Sequence, residues 1–260
     1  MNASRTAGNP TTAPAPVQRR ITLGSGPASC YIDAMEHPLH NCVLYLDGDL
    51  VIADKPAGLL AVPGRTLPDS LTTRLQAWLG EVHVVHRLDM DTSGVMVFAR
   101  NKRALSHLAR QFQQRQVDKL YLAECAGQPA KDGGTVDLPL RCDWPNRPRQ
   151  KVDTEQGRPA RTHWEVLERR PDSSLLRLMP ETGRSHQLRV HMQALGHPLL
   201  GDPFYHPNPA SAPRLMLHAW QLSFTHPRTG QWMTFLSPVP PEFGMVNACS
   251  PSPDLQGAPS

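Results

Sequence analysis

Residues 86–94 read HRLDMDTSG. Asp89 and Asp91 stand two apart, His86 and Arg87 precede them, and Gly94 closes the run. Four kinds of chemistry suit such a segment. It can be a polar turn, since Asp, Thr, Ser and Gly all favour turns. It can be a metal cradle built from His83, His86 and Asp89, although HExxH and paired CxxC spacings are absent. A glycosidase-like carboxylate pair is a poor fit, because that chemistry needs two carboxyls on opposite sides of a bond. The fourth reading is one nucleophilic carboxylate. Residue chemistry alone leaves the turn and the functional carboxylate evenly weighed.

Three further segments carry chemistry-bearing residues. In ETGRSHQLRVH (181–191), Gly183 permits a tight turn and Arg184 stands just before a helix start. Ser185 is the candidate cap of that helix, with Gln187 and the following amides nearby. Arg184 and Arg189 are either solvated arginines on a surface helix or cations aimed at a phosphate or carboxylate. In KLY (119–121), Tyr121 is either a core residue of a strand or, beside Lys119, a platform on which a base stacks. In CDWPNRPRQK (142–151), Arg147, Arg149 and Lys151 have no acid among them, and prolines stiffen the chain. That is a loop suited to phosphate contacts, or simply a solvated one.

These segments need elements to hold them. LVIADK (50–55) reads as a short apolar strand entering a turn at Pro56, Ala57 and Gly58. GVMVFA (94–99) reads as a strand buried on both faces or nearly so. Ser70 to Leu79 fits a helix, with Leu71, Leu75 and Leu79 at fourfold spacing. NKRALSHLARQFQQRQ (101–116) places Leu105, Leu108 and Phe112 on one helical face. KLYLAE (119–124) alternates as a strand, and THWEVLER (162–169) with LLRLMP (175–180) reads as a strand pair. HQLRVHMQAL (186–195) is helical by period, through Leu188, Met192 and Leu195. Strands and helices interleave without a βαβ rhythm, which favours a mixed α/β (α+β) body over a Rossmann-type sheet.

The chain has 260 residues, room for one sizeable domain or two small ones. Its net charge of +4 makes a polyanionic partner plausible without proving one. The five cysteines, Cys30, Cys42, Cys125, Cys142 and Cys249, are odd in number and have no CxxC spacing. They read as reduced thiols of a cytoplasmic protein. No apolar run approaches the length of a membrane span. The first 20 residues lack a signal-peptide core and are rich in Pro, Ala and Thr, which predicts disorder. Residues 1–37 are expected to be a mostly disordered extension, 38–243 the folded body, and 244–260 a flexible tail.

Taken in order, the segments resemble one family, the RluA-type pseudouridine synthases. LVIADKPAGLLAVPGR (50–65) resembles its opening motif, HRLDMDTSG its catalytic motif and QRQVDKLY (114–121) its tyrosine motif. TGRSHQLRVHMQALGHPLLGDPFY (182–205) resembles its long arginine-bearing motif. The resemblance spans about 38–243. CDWPNRPRQKVD and the GRSHQLRVHM wording resemble the RluA branch itself, which acts on the tRNA anticodon stem-loop and a 23S rRNA hairpin. Many relatives carry an S4-type RNA-binding domain; the region before residue 38 is too short and too rich in Pro and Ala to hold one. Two departures are visible: Asp54 stands where the family usually has Asn, and Ser185 where many members have Thr.

The resemblance implies a pseudouridine synthase fold, a mainly antiparallel central sheet flanked by helices, and uridine isomerisation in structured RNA. That reaction is redox-neutral and imports no group, so no cofactor or metal is called for. It implies Asp89 as the catalytic nucleophile, leaving open attack on sugar or base, or removal of the 2′ proton. Tyr121 resembles the active-site Tyr that packs on uracil and is a candidate to take the C5 proton. Arg184 is the candidate partner of Asp89, Arg87 the candidate filler of the vacated base stack, and Asp91 a structural residue binding the Thr92 or Ser93 amides. Lys119 and Leu188 complete the candidate substrate contacts, while Arg147, Arg149 and Lys151 are the candidate RNA-backbone contacts. A monomer without an obligate protein partner is expected. The rival readings are a carboxylate-dependent nucleoside hydrolase and a catalytically silent RNA-binding protein.

Overall fold

The computed structural model describes residues 39–244 and the short strand β1 (Thr22–Leu23). The rest of the expected N-terminal extension, and the tail beyond Gly244, lie outside the described residues.

Strands β3 (Leu50–Lys55) and β5 (Ser93–Ala99) sit at the centre and pair antiparallel, Leu50 opposite Ala99 through Lys55 opposite Gly94. Leu50, Ile52, Val95 and Val97 point to one face; Val51, Ala53, Met96 and Phe98 point to the other. All seven residues of β5 are buried. A strand apolar on both sides needs cover on both sides, and helices supply it. On one face lies α1 (Leu71–Leu79), whose Leu71 and Leu75 are fully buried. Ser70 starts it with a capping box, accepting from the Thr73 amide while its own N–H donates to the Thr73 hydroxyl. On the opposite face lies α2 (Lys102–Gln113), capped by Asn101 and packed through Ala104 and Leu108. Each such buried leucine contributes about 1.5–3 kcal/mol.

The sheet runs β1, β2 (Val43–Leu46), β3, β5, β12 (Leu217–Thr225), β6 (Asp118–Ala126), β11 (Ser173–Pro180), β10 (Arg161–Arg169), β7 (Gly133–Asp137). β13 (Trp232–Leu236) pairs with β12, and β4 (His83–Val84) with β5. Among the described residues only β1–β2 and β5–β12 are parallel. A separate hairpin joins β8 (Leu140–Cys142) to β9 (Gln150–Val152). The third helix, α3 (Gln187–Ala194), packs Leu188 and Met192 against β6 and β11. Leu195, expected on that stripe, is exposed just past the helix end.

The β5–β12 contact decides where the site forms. Gly94 has φ +118, and a Cβ there would lie 2.1 Å from the Ala219 carbonyl oxygen. A glycine is therefore obligatory where the Asp89 segment enters the sheet. The loop before β5 is thus fixed at one end against β12.

Candidate active site

The loop 86–93 is tied down from below as well as at its end. Lys55 is fully buried, and its ammonium donates to the carbonyls of Pro56, Leu59 and Met90 at 2.8, 2.6 and 2.8 Å. All three of its protons are thereby placed. Burial lowers its pKa to about 8, opposed by the nearby charges of Asp91 and Asp89. The bond to Met90 fastens the opening motif to the residue after Asp89. Within the loop, the Thr92 amide donates to the Asp89 carbonyl at 3.2 Å. The expected Asp91 contact with the Thr92 or Ser93 amides is replaced by this backbone bond, and Asp91 bears electrostatically on Lys55 instead.

His86 is not a metal ligand. Its Nε2 accepts from the Val97 amide at 3.1 Å, and its ring stacks on Phe112 with centroids 4.7 Å apart. Burial holds its pKa down at about 3, so it is a neutral packing residue. His83 is turned to Glu81. Among the described residues the grouping with metal-ligand spacing is Asp47, Asp49 and His226. Those atoms are engaged: Asp47 by Tyr45 and His226, Asp49 by Asn101 and Arg228.

Asp89 stands half-buried in a cleft of about 580 Å³. Arg87, Lys119, Tyr121, Arg184 and Leu188 line the same cleft. Residues scattered over a hundred positions therefore converge, but the ion pair is not the expected one. Arg189 Nη1 donates to Asp89 Oδ2 at 3.2 Å. Arg184 instead donates through Nε to the Pro159 carbonyl at 3.1 Å, and its backbone N–H to Gln187 Oε1. The reason is geometric. Arg184 precedes α3 in an open turn, whereas Arg189 lies inside the helix, one turn from the buried Met192.

Arg189 is 2% exposed, and a guanidinium buried so deeply needs a carboxylate of its own. Asp202 provides it, accepting from Arg189 Nε and Nη2 at 2.7 Å each. Asp202 Oδ1 also accepts the Phe204 and Tyr205 amides at 2.9 and 3.1 Å. The rings of those two residues flank the guanidinium, with centroids 5.3 and 5.1 Å from its central carbon. Asp89 thus faces a cation that Asp202 already holds through Nε and Nη2, which fixes the direction of its carboxylate.

Ser185 does not cap α3. The cap position is His186, in a left-handed conformation with φ 53, and no side chain closes the turn there. Gln187 organises the turn instead, its Oε1 accepting from Thr182 and its amide donating to the Arg161 carbonyl and Thr162 hydroxyl. Ser185 Oγ accepts from Arg87 Nη2 at 3.3 Å, a bridge across the cleft mouth. At the other departure from the family pattern, Asp54 accepts from Ser237 Oγ at 2.7 Å, away from Asp89.

Tyr121 lies at the cleft floor between two core clusters. Burial, with the Asp89 charge second, pushes its phenol pKa well above the ordinary value. It is a neutral phenol at neutral pH, suited to packing and to donating a hydrogen bond. Burial lowers Lys119 to about 8, with Arg115 adding to the effect. Arg147, Arg149 and Lys151 are exposed on the β8–β9 hairpin and do not line the cleft. Beside them Trp144 is 59% exposed, with the Arg147 guanidinium 4.0 Å from its ring centroid.

Sequence reasoning passed over Lys55, His186, Asp202 and Tyr205, and left Arg189 open between a solvated arginine and a cation aimed at an anion, choosing Arg184 as the partner of Asp89. One signal was available: an arginine three positions from a core methionine in a helix borders the apolar stripe and calls for an acid.

No helix among the described residues is long and apolar enough to cross a membrane. Cys125 and Cys142 are free thiols.

Comparison with known proteins matches residues 49–194 to the RNA pseudouridylate synthase family model. The dual-specificity RNA pseudouridine synthase RluA of Escherichia coli strain K12 is 53% identical over 203 residues, covering 76% of this chain and 92% of that protein. Its namesake from Vibrio vulnificus is 51% identical over 211 residues, covering 77% and 83%. Among solved structures, human RNA pseudouridylate synthase domain containing 1 superposes with a TM-score of 0.66 at 30% identity, covering 76% of this chain and 83% of its own. A family match over more than half of the chain and relatives at 51–53% identity over about three quarters of it establish that the chain belongs to the RNA pseudouridylate synthase family.

Proposed function

We propose that the protein isomerises particular uridines in structured RNA, with a tRNA anticodon stem-loop and a 23S rRNA hairpin as its substrates. The observation that carries this is the Asp89 carboxylate, held by a buried arginine in a cleft that also bears Tyr121 and a rim of cations. In the reaction C1′–N1 breaks, uracil turns, C1′–C5 forms, and the C5 proton is lost as N1 gains one. Asp89 supplies the nucleophile for the sugar–base junction. Tyr121 packs on the uracil. The uridine must leave its stack to reach Asp89, at an expense of a few kcal/mol. Arg87, at the mouth of the cleft, fills the gap left behind. Arg184 contacts the backbone of the flipped nucleotide. The catalytic domain is assigned to 38–243, and the protein works as a monomer in the cytoplasm.

The test is incubation of the purified protein with a uridine-containing anticodon stem-loop and with the rRNA hairpin. Pseudouridine at unchanged RNA mass is expected. Release of free uracil would support the hydrolase reading, and binding without either product the silent one.

Two further results are expected. Arg149→Ala should weaken RNA binding and reduce the slope of log K against log salt by about one. An unchanged slope in titrations at several salt concentrations removes the hairpin from the RNA-backbone contacts. Lys119 is charged below its pKa of about 8 and loses that charge as pH rises. RNA affinity should therefore fall between pH 7 and 9. Lys119→Met should bind more weakly at pH 7 and show a flatter fall, measured by anisotropy at constant ionic strength. A fall as steep as wild type's assigns the titration elsewhere.

A further inference from the structure

The β8–β9 hairpin lies outside the cleft, yet its second strand touches Tyr205, which packs behind the cleft residue His186. The Gln150 N–H donates to the Tyr205 hydroxyl at 2.7 Å. That hydroxyl lies 2.7 Å from Nδ1 of His186. Tyr205 is 5% exposed, so its one hydroxyl proton needs an acceptor. Of its two hydrogen-bonding neighbours among the described residues, the Gln150 amide can only donate. His186 Nδ1 must then accept, which fixes the neutral imidazole with its proton on Nε2. Nε2 faces Asp89 Oδ2 at 3.9 Å, the same oxygen that Arg189 holds.

The left-handed backbone of His186 is strained for a residue with a Cβ. Such strain persists where surroundings over-determine it, and it clusters at functional sites. Here the Tyr205 hydrogen bond and a parallel stack on Phe204, centroids 5.9 Å apart and planes 10° apart, set the ring. Their combined effect is to aim Nε2 into the cleft.

We propose that His186 is a positioning residue for Asp89, and that Tyr205 links it to the RNA-docking hairpin. The relay runs from Gln150 N–H to Tyr205 Oη–H, to His186 Nδ1, and from His186 Nε2–H to Asp89 Oδ2. This rests on the assignment of Asp89 as the reacting carboxylate. The final gap exceeds a hydrogen bond, and closing it by about 1 Å gives Oδ2 a second donor. Oδ1 is then the oxygen presented to the nucleoside. RNA held by Arg147 and Arg149 bears on the segment that ends at Gln150 and supplies that movement. An RNA that enters the cleft without engaging the hairpin meets a less firmly directed carboxylate. Discrimination then falls on the rate of the chemical step as well as on affinity.

Tyr205→Phe removes the hydroxyl and keeps the ring. In ¹⁵N-histidine spectra of the full chain at neutral pH, His186 should be the Nε2–H tautomer in wild type and lose that preference in Tyr205→Phe. His186→Gln identifies the signal by its disappearance. In single-turnover reactions with the anticodon stem-loop, Tyr205→Phe should lower the rate about 10-fold to 100-fold, with RNA affinity held within about twofold. His186→Gln can accept from Tyr205 and donate to Asp89, so it should retain more activity than His186→Ala at equal melting temperature. An unchanged tautomer, a loss confined to affinity, or equal rates for the Gln and Ala variants each overturn the relay. Failure of the underlying assignment is distinguishable, since it shows as turnover by Asp89→Asn and leaves the tautomer measurement untouched.

Discussion

Asp89→Asn should abolish pseudouridine formation, lowering the single-turnover rate by at least about 10⁴-fold, while RNA binding and folding survive. The substitution keeps the shape and removes the negative charge that a nucleophile needs. Folding survives because Arg189 does not depend on Asp89. Its Nε and Nη2 remain bound to Asp202, and only Nη1 loses a charged partner. Asp89 is itself partly exposed, so water replaces the lost contact. RNA binding survives because the cations of the rim and the hairpin are untouched. Gel-shift, thermal melting and pseudouridine mapping on one preparation check all three parts. Turnover within tenfold of wild type would remove Asp89 from the nucleophile's role.

The second large effect belongs to a residue that never meets substrate. Asp202→Asn should destabilise the fold by about 3–5 kcal/mol, because it strands a buried guanidinium. Asp202 is fully buried and accepts four N–H groups. An asparagine accepts through one oxygen, and its amide nitrogen must face either Arg189 Nε or Arg189 Nη2 together with the two backbone donors. Urea unfolding measures the loss. Adding Arg189→Met should recover part of the stability by removing the stranded charge, yet leave turnover as low as in Arg189→Met alone. Recovery of activity in the double variant would show that Arg189 serves only the fold.

The elements were legible because their periods were strong. LVIADK and GVMVFA alternate between two buried faces, and the leucines of α1 recur every fourth residue, so local pattern and tertiary outcome agree. The site was legible in part. Arg87, Asp89, Lys119, Tyr121, Arg184 and Leu188 do line one cleft. What misled was proximity along the chain to a helix start. Arg184 looked free to reach an anion, and Ser185 looked like a cap. The choice between Arg184 and Arg189 depends on which side of α3 faces β6 and on where Asp202 returns, eight positions after the helix ends. Neither is a property of the local sequence. The role of Lys55 was hidden for a related reason: its partners are carbonyl oxygens, which every residue possesses and no motif records.

The order in which strands join the sheet has a consequence for the protein's synthesis. Asp89 leads into β5, Tyr121 lies on β6, and the strand that holds β5 and β6 side by side is β12, ending at Thr225. Long-range pairings of this kind form late. A chain still on the ribosome that has not released β12 possesses Asp89, Tyr121, Arg189 and Asp202, but has nothing to bring β5 and β6 together. An enzyme that modifies RNA is made beside a great excess of it. This topology leaves the active site unassembled, and the nascent protein unable to modify that RNA, until nearly all of its folded body has emerged.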